Sequence, residues 1–446
     1  MQGKGVKWLR LCMDVGLGLG LALGLGLGLG LLGGCATPCG APDRLCAPIV
    51  SLTSAPEPAP APAPQAAPQP GAGALAAPAP ETFSVASPDA PSAGPANGAP
   101  AAGGQLRIAL LLPLRSATLG AAAAAVRAGF MAAHERDGAG ILVSAIETGD
   151  DPQQILESYR DSLTRHEMVV GPLSRSGVAA VANSAAVDKP TVALNYPEPQ
   201  GGAHDAAFPS NLLMMGLSME DEARQVAQWA ASEHPTGTAL ILSSAQSSWQ
   251  RRLAQAFDAH WRRSGQTVHL VEMNAPGGMI AEASLAQLAL RVQNEAPALV
   301  FAALDAGQLR QVRAALGNAI PIYGTSSLNP GNVRNEPRPE LDGVRLFDLP
   351  WQLQPDHASV MVYPRAPEAG AGARAPTPDM ERLYALGIDA FRVAREIALG
   401  RGKPFKLDGV TGRLSVRFGA GPARFERIET RAVFQGGQLV PVSDRP

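Results

Sequence analysis

With 446 residues, 37 of them Lys or Arg and 39 Asp or Glu, the chain carries a formal net charge of −2. A balance this close supplies no electrostatic footprint for nucleic acid, which is excluded as a partner. All 4 cysteines fall at or before Cys46, so catalytic thiols and thiolate metal centres are excluded from everything downstream.

The first element is a targeting segment. Lys4, Lys7 and Arg10 form a positive start, and Val15 to Leu32 is an apolar run with Gly at nearly every second position. The run ends in Leu32-Gly33-Gly34-Cys35, the cleavage site of a bacterial lipoprotein. Residues 1–34 therefore read as a signal peptide, and Cys35 as the lipidated first residue of the mature chain, an anchor that several acyl chains make effectively permanent. A retained membrane-spanning helix is the competing reading, weakened by the glycines, which lower both hydrophobicity and helix propensity. Ala36 stands where an inner-membrane retention signal places Asp, so the expected address is the outer membrane, facing the periplasm. Cys39 and Cys46 either close a small disulfide loop in that oxidising compartment or are two incidental thiols.

Residues 35–104 form the lipidated start and a linker. From Ala47 to Gly104 Ala and Pro dominate, Lys and Arg are missing, and large apolar residues are scarce. Such a segment cannot bury a core and is read as disordered. Polyproline II at about 3.1 Å per residue would let it reach roughly 180 Å.

From Leu106 onward apolar runs alternate with helical spacing. Strands are expected at Leu106–Leu112, Gly140–Thr148, Met168–Gly171 and Thr191–Asn195, with helices at Gly120–Arg136, Pro152–His166 and Ser174–Val187 between them. A second series opens at Ser218, where Ser218 and Asp221 have capping-box spacing. It continues with strands at Thr238–Leu242, Val268–Glu272, Ala298–Leu304 and Ile320–Tyr323. Its helix Ser248–Ser264 carries Trp249, Leu253, Phe257 and Trp261 on one face, and helical patterns follow at Ala281–Glu295 and Ala306–Leu316. The chain is then expected to return to the first lobe with Val344–Leu349 and the helix Met380–Leu399. It closes on β-rich Gly409–Val442, where Gly436-Gly437 reads as a hairpin turn. Unalternated apolar strands separated by helices imply α/β lobes, each a mostly parallel sheet flanked by helices. The expected division is residues 105–217 plus 343–402 for lobe 1 and 218–342 plus 403–446 for lobe 2. The two lobes form a clamshell whose cleft lies at the carboxyl ends of the strands.

The search for chemistry is largely negative. No Gly-x-Ser-x-Gly elbow, His-Glu-x-x-His or phosphate loop occurs, the 7 histidines are scattered, and neither a metal nor another cofactor is expected. Asp150-Asp151 could serve acid/base work but sits where a helix cap belongs. Arg251, Arg252, Arg262 and Arg263 share one helix and read as a solvated face. Ser174 and Ser176 follow Gly171-Pro172 at a strand-to-helix turn, where hydroxyls and free amides either hold a ligand carboxylate or cap the helix.

Five segments in order carry a resemblance. Leu110-Leu111-Leu112-Pro113-Leu114, Val170-Gly171-Pro172-Leu173, Pro190 to Asn195, Tyr384 to Phe391 and Gly409 to Leu414, followed by Gln438-Leu439-Val440-Pro441-Val442, are similar to the landmarks of the penicillin-binding-protein activator family. The likeness is to the LpoA-type C-terminal domain, a type I periplasmic-binding-protein fold, and covers residues 106 to 442. It implies an outer-membrane lipoprotein that binds and activates a bifunctional peptidoglycan synthase without catalysis of its own. Well-known members carry a helical-repeat domain ahead of this one, where here the Pro/Ala segment stands. Amino-acid-binding relatives of the fold imply cleft positions at Leu114, Ser174, Ser176 and Asn195 in the first lobe and Ser326 and Ser327 in the second. They also keep an acidic residue near the second loop for the ligand ammonium, and Gly324 to Val333 has none, which disfavours capture of a free amino acid. The alternative expectation is a lipid-anchored solute-binding protein of a transporter or sensor.

Overall fold

The computed structural model describes residues 105–197, 208–331, 337–365, 376–400, 403–419 and 421–442. The signal segment, Cys35, Cys39, Cys46 and the Pro/Ala segment lie outside the described residues.

The first sheet contains β1 (Leu106–Leu112), β2 (Ile141–Glu147), β3 (Met168–Val170), β4 (Thr191–Ala193) and β5 (Leu212–Met214), all parallel, in the order β2-β1-β3-β4-β5. Ile108 to Leu112 are fully buried. Because side chains alternate across a strand, Ile108, Leu110 and Leu112 pack with Val126 and Phe130 of α1 (Gly120–Asp137). Ala109 and Leu111 face the opposite layer, against Ile155 and Tyr159 of α2 (Pro152–Arg165) and Val181 of α3 (Arg175–Ala182). The apolar residues at every position from Ile108 to Leu112 thus serve two helical layers. Asp151 begins α2 as its cap, accepting from Gln153 N at 2.8 Å with Pro152 in the first turn.

The second lobe adds α4 (Met219–Glu233), β6 (Thr238–Ser244), α5 (Ser248–Arg263), β7 (Thr267–Met273), α6 (Glu282–Glu295), β8 (Leu299–Ala302), α7 (Ala306–Leu316), β9 (Ile322–Gly324) and β10 (Arg345–Asp348). On α5, Leu253, Phe257 and Trp261 are buried and Trp249 is half-buried against the same core, with Phe257 stacked on Phe301 of β8 at 4.1 Å. The arginines of α5 are occupied: Arg252 pairs with Glu220 and Arg262 with Asp258, while Arg251 and Arg263 donate to the carbonyls of Ala245 and Ala259.

The chain continues through α8 (Pro350–Leu353), α9 (Pro378–Gly400), β11 (Phe405–Asp408), β12 (Arg413–Arg417), β13 (Arg424–Ile428), β14 (Thr430–Gln435) and β15 (Gln438–Pro441). Helix α9 packs on α1 in the first lobe. A Cβ on Gly129 would overlap the Tyr384 carbonyl, and one on Gly387 the Val126 carbonyl, so the two backbones touch where only glycine fits. Asp389, fully buried on α9, accepts from Val410 N, Thr411 N and Thr411 Oγ1 at 3.2, 2.8 and 2.7 Å, pinning the Gly409–Leu414 segment to the helix.

Two assignments made from the sequence are corrected. Strand β10, expected in lobe 1, pairs in parallel with β9 (Arg345 opposite Tyr323) inside the second sheet, whose order is β15-β14-β10-β9-β8-β6-β7. Residues 403–428, expected in lobe 2, instead form the separate sheet β11-β12-β13, whose Val410, Leu414 and Val416 join the first-lobe core. Only β14 and β15 enter the second sheet, through the two-residue turn Gly436-Gly437 with φ of 58° and 76°. Strand β10 has one apolar residue for each face, Leu346 and Phe347, which satisfies either sheet, and long-range pairing decides between them. The chain therefore crosses between lobes three times: between β5 and α4, between β10 and α8, and between β13 and β14.

Candidate functional site

The candidate cleft positions lie in loops that follow the carboxyl ends of β1, β3, β4 and β9. In the first lobe Leu114 is half-buried against the core. Ser174, 7% exposed, caps α3 by accepting from Gly177 N at 3.2 Å, and Ser176 is exposed on the first turn. Asn195 Nδ2 donates to the Leu173 carbonyl at 3.0 Å and its Oδ1 accepts from Tyr196 N, so the loops after β3 and β4 are tied together. In the second lobe Ser326 and Ser327 share one helical turn after β9. Ser327 Oγ donates to the Leu304 carbonyl at 2.8 Å, and the Ser326 amide donates to Glu222 Oε2 at 2.8 Å. The structure thus brings together the first-lobe loops of Ser174 and Asn195, and separately Ser326 with Ser327. Among the described residues no hydrogen bond joins the two sets.

Against Ser326 stands a buried charged network that the sequence reading missed. Arg382 of α9 forks onto Asp348 at the end of β10, Nε to Oδ1 at 3.0 Å and Nη2 to Oδ2 at 2.7 Å, and Nη2 also donates to the Ser326 carbonyl. Asp348 is fully buried and accepts from Leu349 N and Asn329 Nδ2 as well. Burial works against the Arg382 charge, but the Asp348 carboxylate outweighs it and keeps the guanidinium firmly protonated. Burial pushes the Glu222 carboxyl up, as it does the Glu429 carboxyl, which the neighbouring Glu222 raises further. The carboxyl that meets the Ser326 amide comes from α4. Glu222 sits in an acidic first turn with Glu220 and Asp221, which on sequence reads as dipole compensation. The one legible signal was Asp348, a carboxylate closing an apolar strand.

Beside this network the first and third crossings border a half-open cavity of about 210 Å³, lined by Tyr196, Ser218, Asp221, Arg224, Arg427 and Glu429 among others. Ser218 Oγ accepts from Asp221 N at 3.1 Å as the cap of α4, and Asp221 is paired with Arg224. Arg427 Nη1 donates to the Gly216 carbonyl at 2.7 Å and Nε to Thr411 Oγ1 at 3.1 Å, with the guanidinium over the Phe425 ring. Burial, then the Asp221 charge, pushes the Tyr196 hydroxyl up to about 12. Among the described residues no group of three or more His, Cys, Asp or Glu is placed to hold a metal ion.

Two lobes of mostly parallel sheet joined by three crossings define the type I periplasmic-binding class. The chain belongs to the family described as "LppC putative lipoprotein", whose model matches residues 104–420. It is 25% identical over 279 residues to "Penicillin-binding protein activator LpoA" of Glaesserella parasuis serovar 5 (strain SH0165), covering 61% of this chain and 45% of that one. The chain therefore spans less than half the length of this curated relative. A structure from Chromobacterium violaceum ATCC 12472, described as "a putative branched-chain amino acid ABC transporter", matches with 35% identity over 74% of this chain and 99% of that one, at a TM-score of 0.58. The LpoA C-domain from Haemophilus influenzae, described as a regulator of PBP1A, shares the fold with a TM-score of 0.58, 23% identity, and coverage of 76% and 100%.

Proposed function

We propose that this chain is a non-catalytic activator of a bifunctional peptidoglycan synthase, moored by acylated Cys35 to the outer membrane and acting on its partner in the periplasm. Membership of the LppC family, with a penicillin-binding protein activator among its relatives, carries the reading. The geometry supports it: the Ser174 hydroxyl, the Asn195 amide and the Ser326 amide already have partners inside the protein, which leaves the lobe surfaces for recognition. The test is co-precipitation of the mature protein with a purified bifunctional synthase, together with the degree of crosslinking in the glycan product. Binding and a rise in crosslinking are expected; no binding and unchanged crosslinking refute the proposal. The 35% identical relative described as a transporter favours a second reading, a lipid-anchored solute-binding protein. Calorimetry against amino acids and muropeptides separates the two, since a micromolar ligand that closes the lobes belongs only to the second.

A further inference from the structure

Among the described residues the three sheets end in six edges, and five of them are short or charged. Strand β5 is 3 residues long, β15 is 4 and ends in Pro441, β7 carries His269 and Glu272, β11 carries Lys406 and Asp408, and β13 carries Arg424, Glu426 and Arg427. Shortness, charge and proline are what keep a strand edge from pairing with another chain. The sixth edge has none of them along its length. Strand β2 runs for 7 residues, Ile141-Leu142-Val143-Ser144-Ala145-Ile146-Glu147, with no charge before its last position, and among the described residues it pairs with β1 alone. Leu142 is 48% exposed, and Ser144 and Ala145 are exposed as well.

The bonds at the two ends of β2 fix which way its backbone groups point. The Gly140 carbonyl accepts from Leu106 N at 3.1 Å and Thr148 N donates to the Leu112 carbonyl at 2.9 Å, so Leu142, Ser144 and Ile146 turn their backbone groups to β1 while Val143 and Ala145 turn theirs away from the sheet. We propose that a second copy of this chain pairs with this edge, β2 against β2 in antiparallel, about a two-fold axis at Ser144. In that register Val143 of each copy exchanges hydrogen bonds with Ala145 of the other, Leu142 lies opposite Ile146, and Ser144 lies opposite Ser144 in a non-hydrogen-bonded pair. The pattern of the strand reads alike in both directions from Ser144, apolar meeting apolar at each step, and this self-match selects a second copy over a strand of another protein. The two Glu147 side chains fall at opposite ends, each facing Ile141, so no like charges meet. Pairing uses up the edge in each copy and closes at two, joining their 5-stranded sheets into one. It involves neither the cleft positions nor the synthase reading.

The experiment uses the mature protein in detergent with Cys39→Ser and Cys46→Ser, which leaves no free thiol once Cys35 is acylated. Ser144→Cys then sets two thiols across the axis, where a Cα separation of about 4.5 Å permits a disulfide, whereas Glu147→Cys sets them about 20 Å apart along the strands. Mild oxidation should give a covalent dimer with the first and none with the second. Light scattering of the parent protein at micromolar concentration should show a dimer. Ser144→Lys sets like charges opposite each other, and Ala145→Pro removes an outward amide at a position where an edge strand tolerates proline; each should weaken the dimer about tenfold or more. A parent protein that stays monomeric, a dimer untouched by both substitutions, or equal crosslinking at positions 144 and 147 overturns the proposal. A monomer whose Val143 and Ala145 amides are protected from hydrogen exchange does so too, since the edge would then be held by an occupant other than a second copy.

Discussion

Replacing Arg382 by Met puts the interlobe network to its strictest test. The change removes two hydrogen bonds to Asp348, at 3.0 and 2.7 Å, and one to the Ser326 carbonyl at 3.1 Å. The bond to Asp379 is lost as well, but that carboxylate is 82% exposed and adds little. What remains is a fully buried Asp348 with only Asn329 Nδ2 and Leu349 N as donors. Removing one partner of a buried pair costs about 3–5 kcal/mol, and the two surviving donors place this case near 3 kcal/mol. Asp348→Leu strands the guanidinium and should cost a similar amount. The double variant Arg382→Met/Asp348→Leu leaves no stranded charge, so it should cost no more than about 2 kcal/mol, a coupling of roughly 4 kcal/mol against the sum of the singles. Urea unfolding of the three variants, followed by tryptophan fluorescence, measures this directly. Additive losses would refute the reasoning, because they would mean that the two side chains do not stabilise each other.

Three further outcomes follow from the same contacts. Gly387→Val must push α9 off the Val126 carbonyl and should lower stability by about 3 kcal/mol or more in thermal melts, whereas Gly400→Ala, whose Cβ meets nothing, should change it little. Burial raises the Glu222 carboxyl from the ordinary 4.5 to about 7, so the folded state holds this proton more tightly than the unfolded chain does. Its contribution is full below about pH 4.5 and is lost as pH rises through 7; Glu222→Gln should flatten that decline in denaturation midpoints taken from about pH 5 to 8. Cys35→Ser should move the protein from the membrane to the soluble periplasmic fraction, and persistence in the membrane would contradict the lipid anchor.

Local signals in the sequence travelled well into the fold. The apolar run of β1, the aromatic face of α5, the caps at Asp151 and Ser218 and the turn at Gly436-Gly437 each rest on interactions within a few residues. Elements decided by distant partners did not. Strand β5 is three residues long, and β10 could pair with either sheet; the sheet β11-β12-β13 owes its place partly to Asp389, which holds Val410 and Thr411. The charged network was hidden for a related reason. Arg382 lies in a polar first turn beside Asp379 and Glu381 and reads as solvated until the lobe junction closes over it. Ser174 was legible as a strand-to-helix turn, and the capping bond is present.

The ties across the crossings bear on how the molecule works. Arg427 links the third crossing to the first through the Gly216 carbonyl, Glu429 N links it to Gln225 on α4, and Arg382 binds α9 to the end of β10 beside the second. Rotation of one lobe against the other would stretch the last two, which run from one lobe to the other. The neutral Glu429–Gln225 bond contributes about 1 kcal/mol and the buried ion pair about 3 kcal/mol, so bending the hinge would cost on the order of 4 kcal/mol. A micromolar solute supplies roughly 8 kcal/mol in total, and moving a two-state equilibrium from 1:99 to 99:1 needs about 5.5 kcal/mol of differential binding. Little would remain to hold the solute. A partner that docks on the outside of an already fixed pair of lobes meets no such cost, and this supports surface recognition over closure around a ligand.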